Sequence, residues 1–138
     1  MFDGQVDEIC RKTSKEVCMR LSEILAITQA ECLSPDADLD REVNGVFASD
    51  LMSDALRYDL AEGLLITGLA NPQAIRTAEM ADATAVLLAR GKVPPPEMMQ
   101  LAEETDIPLL STHITMFETC GRLYVAGLPA AIPHNGRA

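Results

Sequence analysis

The sequence predicts an α/β domain, a three-layer sandwich in which helices cover both faces of a largely parallel sheet. Three short apolar runs between Gly63 and Leu128 are each followed by a segment with helical character. Repeats of strand, loop and helix require parallel pairing with right-handed crossovers. The chain has 138 residues, 48% of them apolar and only 4% aromatic. We therefore expect one domain with one sizeable, mainly aliphatic core.

The first segment predicts an amphipathic helix over residues 5–27. Its apolar residues recur at spacings of three and four, which places them on one helical face. Thr13 and Glu16 match a capping box, so the helix could instead restart at Thr13. Residues 1–19 are accordingly predicted to be an N-terminal amphipathic helical extension. Its apolar stripe packs on the same domain or, before Thr13, reaches a partner subunit.

Two short strands and a helix are predicted before the repeats begin. Residues 30–33 could form a strand, and residues 45–48 are continuous in apolarity, as in a buried strand. The two could pair with each other or join an edge of the parallel sheet. Ser49 is predicted to start a helix with Asp50 in its first turn, where a negative charge suits the helix dipole. Leu51, Ala55 and Leu56 would form the inner side of that helix.

The repeated units supply the rest of the predicted α/β domain, which spans residues 20–128. Asn71 before Pro72 signals a helix start, and Gly127 signals a helix end. The tail over residues 129–138 has no core-forming pattern, so we expect it to be mobile. The predicted strands are 64–66, 85–89 and 107–110, and the predicted helices are 72–80, 97–105 and 115–126.

Polar residues follow the predicted parallel strands, where such sheets bind their ligands. Their hydroxyl, amide, imidazole and cationic groups could donate hydrogen bonds to a phosphate. The candidate ligand-binding residues are Thr67, Gly68, Asn71, Arg90, Lys92, Ser111, Thr112 and His113.

Catalytic and cofactor motifs are not recognisable. The glycine fingerprint of dinucleotide-binding folds is missing after the first repeated strand. Gly91 and Lys92 resemble the end of a phosphate-binding P-loop, but Val86 and Val93 occupy two of its essential positions. The acids Asp36, Asp38 and Asp40 lack the glycine and glutamate of a calcium loop. The sequence therefore predicts no catalytic residues, no metal site and no cofactor.

Charge and hydropathy limit the partners. The net charge is −10, from 11 basic and 21 acidic residues, and the basic residues do not cluster. Nucleic acid is therefore not a predicted partner. No apolar run approaches the roughly 18–20 residues of a membrane span, and the first residues lack the pattern of a signal peptide. We expect a cytoplasmic protein that does not bind membranes.

Several segments together resemble the DRTGG domain family. They are residues 40–54, 64–68, 108–112 and 115–124, within a similarity that covers about residues 20–128. The motif behind the family name is retained at most at Asp40, Arg41 and Gly45. The resemblance implies an α/β domain like the N-terminal domain of HPr kinase/phosphorylase. Related domains accompany CBS domains in some pyrophosphatases and form the N-terminal part of long phosphotransacetylases.

In those bacterial proteins the family implies regulation or assembly, while a different domain performs the chemistry. The kinase P-loop lies outside the DRTGG domain, so the resemblance does not imply kinase activity. The sequence thus predicts a non-catalytic regulatory, ligand-sensing or oligomerisation module that forms a homodimer. The alternative is an anion- or nucleotide-binding protein or small enzyme that uses the strand-end loops. Predicted partners are a second copy, a small phosphorylated metabolite or nucleotide, or another protein.

Overall fold

The computed structural model describes residues 17–134, which form nine short strands and five helices. The strands are β1 Met19–Arg20, β2 Glu31–Cys32, β3 Glu42–Val43, β4 Gly45–Ala48, β5 Tyr58–Asp59, β6 Gly63–Thr67, β7 Ala85–Leu88, β8 Leu109–Ser111 and β9 Ile132–Pro133. The helices are α1 Leu21–Thr28, α2 Met52–Ala55, α3 Pro72–Met80, α4 Pro96–Glu104 and α5 Met116–Val125.

A five-stranded sheet in the order β2-β8-β7-β6-β4 forms the centre of the fold. β4, β6, β7 and β8 are parallel, and β2 is antiparallel to β8. The predicted α/β class with a largely parallel sheet is therefore confirmed. The two early strands, whose placement the sequence left open, lie at opposite edges. The segment at 30–33 contributes β2, and the segment at 45–48 is β4.

Helices cover both faces of the sheet, which confirms the three-layer arrangement. On one face, Ile75 of α3 and Met98 of α4 pack against Leu65 and Val86. On the other face, the buried residues of α1 and α5 pack against Ile66 and Leu87 in a second aliphatic cluster. Alternate residues of each strand thus enter different clusters, because successive side chains of a strand point to opposite faces. Both faces are buried, which explains why the strand sequences are continuously apolar.

Local capping signals set the ends of two helices, and those at Asn71 and Gly127 were predicted. The Asn71 side chain accepts a hydrogen bond from the Gln73 N–H at 2.8 Å, and α3 begins at Pro72. The Thr115 hydroxyl accepts from the Glu118 N–H at 3.3 Å at the start of α5. Gly127, with φ of 108°, follows the end of that helix. No helix within residues 17–134 has the length and apolar character needed to cross a membrane.

The predicted helix over residues 5–27 is wrong at residues 17–20. Met19 and Arg20 form β1, which pairs antiparallel with β3, and the helix begins only at Leu21. The Leu21 N–H donates to the Arg41 carbonyl at 3.0 Å, a contact between distant parts of the chain that helical periodicity does not encode. The earlier part of the predicted helix, including the alternative start at Thr13, lies outside the described residues.

The helix predicted to start at Ser49 is also wrong. The Ser49 N–H donates to the Ile66 carbonyl at 3.0 Å, so this residue still follows the edge of the sheet. Only Met52–Ala55 are helical. Ala55 is buried as predicted, but Leu51 and Leu56 are exposed. Pairing with β6 therefore outweighs the local helix-start signal.

The segment that follows α5 pairs with the domain. The Val46 N–H donates to the Pro129 carbonyl at 3.0 Å, and the Ala131 N–H donates to the Val46 carbonyl at 2.8 Å. β9 then pairs antiparallel with β5. This backbone pairing differs from the mobile tail that we expected over residues 129–138. Residues 135–138 lie outside the described part of the chain.

Candidate functional site

Six of the eight predicted site residues lie in two adjoining groups at the carboxyl ends of the parallel strands, and Asn71 and Thr112 lie in neither group. The first, which we call the Arg90 cluster, consists of Asp50, Thr67, Gly68 and Arg90. The second, which we call the His113 pocket, is lined by residues 29–31, 33, 91–94, 111 and 113. The chain passes from one group to the other between Arg90 and Gly91.

The backbone at Arg90 is held in an unusual conformation. Arg90 has φ of 67° and Gly91 has φ of 68°, both in the left-handed region. For a residue with a side chain, this region costs roughly 1–2 kcal/mol. The Arg90 N–H donates to the Ile114 carbonyl and the Gly91 N–H donates to the Thr112 carbonyl, each at 2.8 Å. These bonds hold the turn in place, and strain that the surroundings maintain in this way is frequent at ligand sites.

The guanidinium of Arg90 lies over Gly68. A Cβ atom built on Gly68 would lie 2.6 Å from Arg90 Nη2, so the guanidinium occupies the space that a side chain at position 68 would need. The Arg90 side chain is 50% exposed, and its Nη2 atom is 3.9 Å from Oδ2 of Asp50. That distance is an ion pair beyond hydrogen-bond length. The Arg90 donors thus face both solvent and the end of β6.

Asp50 organises the loop below this guanidinium. Its Oδ1 atom accepts hydrogen bonds from the Gly68 N–H at 2.6 Å and from the Thr67 hydroxyl at 3.1 Å. The Thr67 hydroxyl in turn accepts from the Leu69 N–H at 3.1 Å. The local sequence places Asp50 in the first turn of a predicted helix, and Asp50 is not among the predicted site residues. The available signal was its place directly after an apolar strand, because parallel sheets collect functional side chains at the carboxyl ends of their strands.

The His113 pocket has a volume of about 450 Å³ and lies between the end of β8 and the segment that joins α1 to β2. Lys92 and His113 are exposed at its rim. The Ser111 hydroxyl lies 3.5 Å from the Lys92 carbonyl, at the limit of a hydrogen bond. Glu31 adds one acidic group to the lining. The pocket therefore combines two cationic or titratable side chains with one carboxylate.

Two of the predicted donors, the hydroxyls of Thr67 and Thr112, are used within the fold. The Thr112 side chain is buried, and its hydroxyl donates to the Thr28 carbonyl at 2.6 Å. The exposed Asn71 side chain caps α3 through its oxygen, which accepts from the Gln73 N–H. The buried Thr67 hydroxyl donates to Asp50. Of the side chains predicted to bind a phosphate, the exposed ones are Asn71, Arg90, Lys92 and His113. The Asn71 Nδ2 group takes no part in the cap, so all four could reach a ligand without disturbing these bonds.

Arg41, one of the residues that match the family motif, lies away from this edge. Its Nη2 atom forms an ion pair with Asp106 Oδ2 at 2.6 Å. Both residues line a depression beside the amino ends of β6, β7 and β8. Within residues 17–134, His, Cys, Asp and Glu side chains form no group of three or more that could hold a metal ion.

The family model described as "DRTGG domain" matches residues 23–125, which is most of the chain. The chain belongs to the DRTGG domain family. The resemblance that the sequence segments indicated is therefore confirmed. Curated proteins include no significant match to this chain.

A solved DRTGG-containing structure has the same fold. It is the crystal structure of the CBS and DRTGG domains of the regulatory region of Clostridium perfringens pyrophosphatase, complexed with its activator diadenosine tetraphosphate. The TM-score is 0.60 at 19% sequence identity, and the match covers 94% of this chain. The chain spans 56% of the length of that structure. At this identity the likeness establishes the DRTGG fold of the chain.

Proposed function

We propose that this DRTGG domain is a non-catalytic regulatory module that senses an anionic small molecule at the carboxyl edge of its sheet. The ligand class is a nucleotide or another phosphorylated metabolite. In this proposal Arg90 binds the anion, while Lys92 and His113 extend the site along the His113 pocket. The protein would act in the cytoplasm and as a homodimer.

The observation that carries the proposal is the position of the Arg90 guanidinium. It is half exposed, its backbone is held in a strained turn, and its charged neighbour Asp50 is beyond hydrogen-bond distance. A planar, half-exposed guanidinium is well suited to bidentate contact with a phosphate. The cost of the left-handed turn is understandable if the turn presents this side chain to a ligand.

The architecture supports ligand binding at the same place. In open α/β sheets, ligands bind outside the carboxyl ends of the strands. The Arg90 cluster and the His113 pocket both lie there, and a pocket of about 450 Å³ is within the range of small-molecule sites. The structural neighbour belongs to a regulatory region and is complexed with a nucleotide activator. That likeness is consistent with a sensing role for this chain.

The alternative is a nucleotide-binding protein or small enzyme that uses the same loops. It would require a nucleophile or a general base held beside the bound ligand. The hydroxyls of Thr67 and Thr112 are engaged in internal hydrogen bonds, and His113 stands at an exposed rim. This arrangement favours binding over catalysis, and we therefore rank the alternative second.

The experiment is a thermal-shift screen of the full chain against nucleotides, nucleotide alarmones, acyl phosphates, sugar phosphates and NAD(H). A ligand at about 100 times its Kd adds roughly 2.7 kcal/mol to stability. For a domain of this size, each kcal/mol raises Tm by roughly 2–8 °C. A shift that Arg90→Ala removes would support the proposal. A flat screen across all classes would contradict sensing of a phosphorylated ligand.

A further inference from the structure

The outer surface of α5 is apolar and exposed. Phe117, Tyr124 and Val125 are 89%, 73% and 87% exposed. Phe117, Gly121 and Tyr124 are spaced by four and three residues, so they lie on one face of the helix. We call Phe117, Gly121, Tyr124 and Val125 the α5 face. Exposed apolar residues grouped in this way mark interaction surfaces more often than isolated ones do.

A shallow groove of about 320 Å³ lies beside the α5 face. Its floor and walls come from α5, from Val46 and Ala48 of β4, and from residues 128–130. All the side chains that line it are uncharged. The half-buried Cys120 is one of them, and burial raises the pKa of its thiol above the ordinary value. The groove is therefore suited to an apolar occupant.

Gly121 has no explanation within the described fold. It lies inside α5, where glycine destabilises a helix relative to alanine. Among residues 17–134, a Cβ atom built on it would meet no atom within 4 Å beyond the adjoining backbone of its own helix. The packing of residues 17–134 therefore does not require a glycine here. A glycine on an exposed helix face is understandable if another backbone or ring approaches that face closely.

We propose that the α5 face and its groove bind a second copy of this chain, so that two α5 helices cross antiparallel at Gly121. The inference rests on the homodimer of the proposed function and assigns its contact surface. The face presents protruding rings beside a concave groove, which is the self-complementary shape that a two-fold interface requires. Phe117 and Tyr124 lie at similar distances on either side of Gly121. An antiparallel crossing there places Phe117 of one copy against Tyr124 of the other.

Charge does not oppose a second copy at this surface. Two chains that each carry a net charge of −10 repel one another. Next to the α5 face, however, the Glu118 carboxylate is paired with Arg122 at 2.6 Å within the same helix. Because this carboxylate is paired and the groove is uncharged, the α5 face carries no excess of negative charge. Two copies can therefore meet here without bringing unpaired carboxylates together.

The surface area that this contact would bury is also consistent with a small dimer interface. A fully covered aromatic side chain buries roughly 150–250 Å². Four rings, two from each copy, would supply a large part of the about 1,200 Å² that a small specific interface buries. The groove residues and Val125 would add to this area.

The test is the mass of the full chain in solution, measured by light scattering and sedimentation at tens of micromolar. We expect twice the 14.9 kDa of one chain. Gly121→Leu should weaken dimerisation at least about tenfold, because a bulky side chain fills the crossing point. Its helix content measured by circular dichroism should be retained, because leucine is a better helix former than glycine. Phe117→Glu should also give monomers. Met80→Glu on α3 is the matched control, since Met80 is also apolar and exposed but lies outside the α5 face. This variant should remain a dimer.

The possible results separate the inference from the proposed function. A dimer that both variants leave intact would overturn the assignment to the α5 face but not the homodimer. A monomeric wild-type chain would overturn both, and the α5 face would then belong to residues 1–16 or to a different protein. Circular dichroism of each variant checks that folding is retained, and Phe117 is too exposed for its replacement to disturb the core.

Discussion

The Arg90 guanidinium occupies the space above Gly68, where a Cβ atom would come within 2.6 Å of Nη2. The guanidinium is the end of a flexible side chain, so it could move aside if position 68 carried a methyl group. Such a movement would take it away from the place where we propose that it binds an anion. The position of the Arg90 guanidinium at the proposed ligand site thus depends on the absence of a side chain at Gly68.

Gly68→Ala should therefore weaken anion binding without unfolding the protein. We expect affinity for a screened ligand to fall as it does in Arg90→Ala, while stability changes by less than about 1 kcal/mol. Gly63→Ala is the matched contrast, because its Cβ would lie 2.9 Å from the Leu60 carbonyl oxygen, which is backbone. That variant should lose roughly 1–3 kcal/mol. Calorimetric titration and urea unfolding of both proteins measure the difference. Wild-type affinity in Gly68→Ala would show that the position of Arg90 is unimportant.

The cationic residues of the site should contribute unequally to anion binding. Arg90→Ala should lower affinity about tenfold or more, because a charge-assisted hydrogen bond is worth about 1.5–3 kcal/mol. Lys92→Ala, at the exposed rim, should lower it less. Arg76→Ala removes an equal charge from the exposed side of α3 and serves as the control. Titration at two salt concentrations would check the result. An equal loss in the Arg76 control would indicate a long-range charge effect in place of a site.

Asp50→Asn should strengthen anion binding. The asparagine oxygen can still accept from the Gly68 N–H and the Thr67 hydroxyl, but the negative charge 3.9 Å from Arg90 is removed. Two unit charges about 4 Å apart in water interact by about 1 kcal/mol, which corresponds to a change of about fivefold. Asp36→Asn, in the turn before β3, is the charge-matched control. Unchanged or weaker binding in Asp50→Asn would mean that the carboxylate does not oppose the ligand.

Thr112→Val should destabilise the domain without altering the site. The Thr112 hydroxyl donates to the Thr28 carbonyl at 2.6 Å and accepts from the Ile114 N–H at 3.2 Å. Valine leaves both backbone groups buried without this partner, at a cost of about 1–3 kcal/mol. Thr112→Ser should restore most of the loss, since it keeps the hydroxyl. Tm measurements report the stability, and ligand affinity measured well below Tm should be unchanged. A loss of affinity in Thr112→Val at full stability would instead make Thr112 a ligand.

Cys120 should react slowly with iodoacetamide at neutral pH. Burial raises the pKa of its thiol because desolvation disfavours the thiolate, which is the reactive form. At neutral pH the thiol is protonated in both the folded and the unfolded state. Because its pKa is raised in the folded state, the free energy of unfolding falls as pH rises from the unfolded-state pKa through the folded-state pKa. Mass spectrometry can compare Cys120 alkylation in folded and urea-unfolded protein across the alkaline range. Equal rates at neutral pH would contradict the burial of this thiol.

The sequence alone determined the class of the fold, because apolar periodicity and capping are local properties. The strands β6 and β7, the helix α3 with its Asn71 cap and the two buried sheet faces were all predictable from neighbouring residues. The same local reasoning identified the strand-end loops, since parallel strands must end at one edge of the sheet. It therefore placed all eight candidate ligand-binding residues, among them Arg90, Lys92 and His113, in those loops.

Only the tertiary structure decided which polar groups remain available. Ser49 and Asp50 carry the local signal of a helix start, yet pairing of this segment with β6 turns Asp50 towards Thr67 and Gly68. The Thr112 hydroxyl is engaged by Thr28, which is 84 residues away in the chain. The opposite placement of β2 and β4 and the pairing of residues 129–134 likewise depend on contacts between distant segments. Such contacts depend on the whole arrangement of the chain, and local patterns of sequence do not encode them.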